Sequence, residues 1–204
     1  MMNKQWISSL TGDIEAKYGK PMCEKMFGDT DKIKNDYDSL TAWFNNFIVA
    51  MDNLGESDYM KTLMASHCPC RYADAEEDIK KVYEESETLE EFVAQLDCNG
   101  IFQDNVELRG NVLYATKLTW SKSRELLGLC GHNHKGCYAE SCHCFLASHI
   151  NKPISNIFCH CCTVGYYSKM FRNALGFDVK VDFIGSVISG GEGCTAAIHL
   201  PAKT

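Results

Sequence analysis

The chain has 204 residues, of which 45% are hydrophobic, 11% aromatic and 23% charged, a balance that can fill one substantial core and excludes disordered, collagen-like and linker classes. Asp and Glu (27) outnumber Lys and Arg (20), giving a formal charge of −7, which argues against a nucleic-acid partner bound through a broad basic face. No apolar run approaches the roughly 18 residues of a membrane span, and Met1 to Leu10 lacks the apolar core of a signal peptide, so the chain reads as cytoplasmic.

The first hundred residues carry a helical period. Trp6, Ile7, Leu10, Ile14 and Tyr18 share one stripe, which Gly19 and Pro21 stop. Leu40, Trp43, Phe44, Phe47, Ile48, Met51 and Leu54 form the strongest amphipathic helix, closed by Gly55. Met60, Leu63 and Met64 predict a short helix before His67-Cys68-Pro69-Cys70. Two more follow: Asp74 to Ser86 on the period of Ile79, Val82 and Tyr83, then a helix opened by Thr88-Leu89-Glu90-Glu91, which has capping-box spacing.

Beyond Asp97 the period shortens. Val106 to Leu108 and Val112 to Thr116 flank Arg109-Gly110-Asn111 and predict a hairpin. From Gly128 to Phe158 no period holds, and a stretch of that length inside a compact domain needs something to pin it. A helix over Val164 to Leu175 ends at Gly176, a strand alternates from Phe177 to Phe183, and a turn at Ser189 to Gly193 leads into a strand over Cys194 to Leu200. The expectation is one α+β domain over residues 1–204, with a mainly helical part (1–97) packed on an antiparallel sheet and a Cys-rich part (98–204) ending in a helix followed by a β-hairpin.

Cysteine supplies the chemistry. Twelve residues are Cys, about 6%, below the roughly 8 to 10% of a disulfide scaffold. Seven of the 12 Cys and five of the seven His fall between Cys130 and Cys162. Cys142-His143-Cys144 and Cys159-His160-Cys161 are two short thiol pairs, and a fold that brings such pairs together builds a tetrahedral site for zinc or, since the same ligands serve both, for an iron–sulfur cluster. Cys142, Cys144, Cys159 and Cys161 are the expected ligands, with Cys130 and Cys137 in reserve. Disulfides are disfavoured by the absent export signal and the adjacency of Cys161 and Cys162. Cys23, Cys98 and Cys194 read as small buried apolar residues, and Cys68 and Cys70 as a helix stop with half-buried thiols rather than part of a second metal site.

If the segment is extended, Cys159 and Cys161 share a direction and His160 points away, so His143 and His160 lie outside the ligand set. Cys162, near the start of the last helix, is either a packed cap residue or a thiol activated by the helix dipole and a metal. Were the site a hydrolase, with three protein ligands and a water, His132, His134 and Glu140 would be the candidate bases. A thiol or iron–sulfur redox protein is the other alternative.

The run Phe158-Cys159-His160-Cys161-Cys162-Thr163-Val164-Gly165, the helix after it, the strand to Phe183, and Gly190-Gly191-Glu192-Gly193-Cys194 with its closing strand resemble the C-terminal part of the 4-vinyl reductase domain and its cysteine-rich bacterial relatives, among them aminothiazoline carboxylate hydrolase-like proteins. The resemblance covers about 50 residues, roughly 155 to 202. It implies an α+β fold akin to small-molecule and lipid-chain binding domains, including vesicle-tethering subunits, with a ligand cavity between helices and sheet and in some members a Cys-bound zinc. Cys159, Cys161 and Cys194 match the family's thiols, and Cys142 and Cys144 match the upstream pair of the cysteine-rich relatives. Cys162 stands where those relatives have a small residue. Together these readings point to a metal-stabilised binding or sensing domain whose partner is a small apolar or mixed-polarity ligand, with a homodimer left open.

Overall fold

The computed structural model describes residues 4–68, 73–98, 105–118, 142, 150 and 155–203, and the side chains of all of these except 73, 74, 97, 98 and 118. Helix α1 (Lys4–Tyr18) buries Trp6, Ile7, Leu10 and Ile14, the stripe read from the sequence. At Gly19 the backbone turns to φ 82° but does not leave helix for long, because α2 (Lys20–Phe27) starts at once with Pro21 in its first turn. Proline is tolerated there since its missing N–H would have no partner anyway. Helix α3 (Tyr37–Leu54) is capped by the Asp36 carboxylate, which accepts from the Ser39 N–H at 2.8 Å, and it ends on the left-handed Gly55. Helix α4 (Ser57–Ser66) completes a first core in which Trp43, Phe44 and Phe47 stack, and Phe158 meets Phe44 and Phe47 edge-on at 6.0 and 6.2 Å.

A second core lies on the sheet. Helix α5 (Ala73–Glu85) and helix α6 (Leu89–Cys98) contribute Ile79, Val82, Phe92 and Leu96. At the α6 start Thr88 Oγ1 accepts from the Glu91 N–H at 3.1 Å, while the Glu91 carboxylate accepts from the Glu87 N–H at 2.8 Å, one residue earlier than a standard capping box. Helix α7 (Tyr166–Leu175) buries Tyr167, Met170, Phe171 and Ala174 and ends on the left-handed Gly176.

Strands β1 (Asn105–Arg109), β2 (Val112–Leu118), β3 (Lys180–Gly185) and β4 (Gly193–His199) form an antiparallel sheet in the order β1-β2-β4-β3. Both expected hairpins are present, and β4 joins them by pairing with β2 as well as β3. Strand β3 starts at Lys180, opposite His199, because Phe177 is drawn instead into the second core beside Tyr83. The fold is α+β, with its helices mainly N-terminal and a closing helix and hairpin. Among the described residues no helix is long and apolar enough to cross a membrane.

The two cores meet at one coiled segment. Asn156–His160 forms a 3₁₀ turn and Cys161–Gly165 a π turn that runs into α7. Phe158 and Cys161 enter the first core, whereas α7 belongs to the second. Gly165 passes so close to α4 that a Cβ there would lie 2.1 Å from the Ala65 carbonyl oxygen. Only glycine fits this crossing.

Candidate metal centre

Coiling of residues 156–165 decides which cysteines meet. In extended chain Cys159 and Cys161 would share a direction, but in a helical turn residues three or four apart do so and residues two apart diverge. Cys161 is accordingly sealed in the first core with Phe158. Cys162, three residues after Cys159, comes back over it, and its thiol donates to the Cys159 carbonyl at 3.5 Å. Thr163 donates to that same carbonyl at 2.7 Å, which fixes the turn.

The sulfur of Cys194 meets the sulfurs of two residues remote in sequence. The thiols of Cys142 and Cys159 both hydrogen-bond to Cys194 at the start of β4. These two bonds, the Val187 N–H and the nearby Lys117 ammonium together bring the Cys194 pKa down to about 3, against the cost of burial. The Cys159 pKa moves the other way, raised by its bond to Cys194 and by burial. Cys194 is thus the more acidic thiol of the pair and Cys159 the less acidic one. The Ser186 hydroxyl, 1% exposed, hydrogen-bonds Cys159 and opposes that rise. Cys159, Cys162 and Cys194 carry free thiols.

Lys117 supplies the positive charge. It faces Cys194 across the β2–β4 ladder, its Nζ donates to the Cys162 carbonyl at 2.9 Å, and it lies 3.4 Å from the Tyr166 ring centroid. A strand signal was available for it. Leu113 and Ala115 point to the helix side, so continuing the alternation by one step puts a lysine on the apolar face. Gly193 makes this approach feasible, because a Cβ at that position would stand 2.5 Å from the Lys117 carbonyl oxygen.

Of the expected ligands, Cys142 and Cys159 each hydrogen-bond to Cys194, which was not among them, while Cys161 is set apart in the first core. Cys144, the reserves Cys130 and Cys137, and the candidate bases His132, His134 and Glu140 lie outside the described residues. Among the described residues no group of three or more His, Cys, Asp or Glu side chains is spaced to hold a metal ion. Cys23 is buried, donates to the Thr11 carbonyl at 3.7 Å, and has its pKa raised by that burial, as befits a small packed residue.

His160 leaves the thiols and stacks on Phe183, with ring centroids 4.8 Å apart. Burial, and then the Lys61 ammonium, hold its pKa below the usual imidazole value. It lines a groove of about 590 Å³ between α4 and α7, on the far side of the turn that carries Cys159. No protein-family model matches the chain, and no curated protein matches it.

Proposed function

We propose that this chain is a metal-stabilised binding module of a reducing, cytoplasmic compartment, in which a thiophilic ion is held by Cys142, Cys159 and Cys194 with Cys144 or Cys162 as the fourth sulfur. Zinc is the first choice and an iron–sulfur cluster the second. The observation that carries the reading is the meeting of the buried Cys142 and Cys159 thiols at Cys194, three residues from three separate segments. The donor chemistry fits, because cysteine sulfurs are the ligands of structural zinc. Such an ion supplies folding energy, since the ligands converge only in the folded chain.

This chain's own residues do the rest. Ser186 and the Val187 N–H orient the sulfurs, Lys117 offsets their negative charge, and the 3₁₀ turn aims Cys159 at β4. The resemblance of residues 155–202 to the 4-vinyl reductase domain and its cysteine-rich relatives supports the same reading. It also supports a small ligand of mixed polarity held beside the helices. The test is metal content of protein purified without added metal, followed by chelation under reductant. The expected result is one zinc per chain and a clear fall in melting temperature on stripping. A metal-free protein whose melting temperature ignores the chelator would overturn the proposal.

A further inference from the structure

The groove between α4 and α7 has a lining unlike the rest of this acidic chain. The two helices are pinned together where Gly165 meets Ala65, and they part from there, leaving about 590 Å³ between them, within the range of small-molecule sites. Lys61 enters from α4, Lys169 and Arg172 enter from α7, and His160 closes one side, while among the described residues no carboxylate lines the groove. Ala65 and Val164 add apolar wall.

The counter-charges stand at the rim. Lys61 pairs with Asp58 at 2.8 Å, and that carboxylate is 93% exposed. Arg172 pairs with Asp178, also largely exposed. Lys169 makes a long bond of 3.4 Å to the Cys68 carbonyl. Exposed pairs of this kind contribute little, so an anion entering the groove can displace them. Three cations exceed what one carboxylate needs. A phosphate monoester carries about two negative charges at neutral pH, and its three terminal oxygens match an arginine fork flanked by two ammonium groups.

We propose that this groove binds a small organic phosphate, its phosphoryl group held by Lys61, Lys169 and Arg172 and its carbon part lying against Val164, Ala65 and the imidazole of His160. The proposal names the ligand class of the binding module described above. It rests on that module but not on the metal.

Phenyl phosphate is the probe and benzoate its carboxylate counterpart, titrated calorimetrically into the full-length, as-purified protein at low ionic strength in phosphate-free buffer. The expected result is one phenyl phosphate per chain, bound at least tenfold tighter than benzoate. Lys169→Gln and Arg172→Gln should each weaken it about tenfold. Lys180→Gln, the same charge change on the remote strand β3, should leave it unaltered. No binding, equal affinity for benzoate, or equal losses in all three variants would overturn the proposal. Metal content is read on the same samples: phosphate binding without metal sinks only the reading of the thiols, and metal without phosphate binding sinks only this one.

Discussion

His160 and Cys159 are neighbours in sequence that face opposite neighbourhoods, and the difference is legible in their protonation. His160 is half-buried against Phe183, so the imidazolium form is disfavoured in the folded protein. Its folded pKa lies below the unfolded value of about 6.5, so on acidification the unfolded chain takes up a proton first. The stability tied to a neutral His160 is therefore present above about pH 6.5 and lost as the pH falls below it. His160→Gln should lower the melting temperature at pH 7.5 through lost stacking, and the gap to wild type should narrow at pH 5.5. Thermal scans in phosphate-free buffer check this, and a gap constant with pH would mean that burial does not control this ring. Lys117 shows the opposite device. It is a charge kept at the edge of an apolar face because a carbonyl and an aromatic face receive it, with the acidic Cys194 thiol nearby.

At the scale of elements, Gly165 carries the tightest constraint. A methyl at that position would collide with the α4 backbone, which cannot rotate away as a side chain would. Gly165→Ala should cost about 3 kcal/mol in urea unfolding, the upper end of overpacking effects. Gly12→Ala is the control. Its added Cβ meets nothing within 4 Å on α1, so it should be neutral or stabilise by up to about 1 kcal/mol. Most helices were legible because burial follows their period: the α3 stripe from Leu40 to Met51 is buried as spaced. Helix α2 was hidden because Gly19 and Pro21 read as a stop, although proline is welcome one turn into a new helix. The thiol set was half legible. Cys142 and Cys159 were candidates from their spacing, whereas their shared partner Cys194 depends on a strand order that brings β4 beside β2. The separation of Cys161 from Cys159 depends on a turn that coils where an extended chain was expected. Such choices are set by tertiary packing rather than by local residue pattern.

For the whole molecule, the two apolar clusters are joined, among the described residues, by the packed segment from Phe158 to Gly165. Trp6 and Trp43 report on the first cluster and α7 on the second. In a Trp120→Phe background, fluorescence follows only the first cluster, while far-ultraviolet circular dichroism follows both. The two signals should trace one coincident urea transition in the native protein, because neither cluster can keep the link in place alone. Separate midpoints would show two independent folding units.

The central position of β4 has a consequence for biosynthesis. Of the four strands it is the last to be made, yet β2 and β3 both hydrogen-bond to it and not to each other. While the ribosome is still adding residues before Gly193, β2 lacks the strand that pairs with its outer edge, and an uncovered strand edge is open to wrong partners. The sheet closes when the final strand slides between its neighbours like a key into a slot, and the same movement delivers Cys194 to the sulfurs waiting for it.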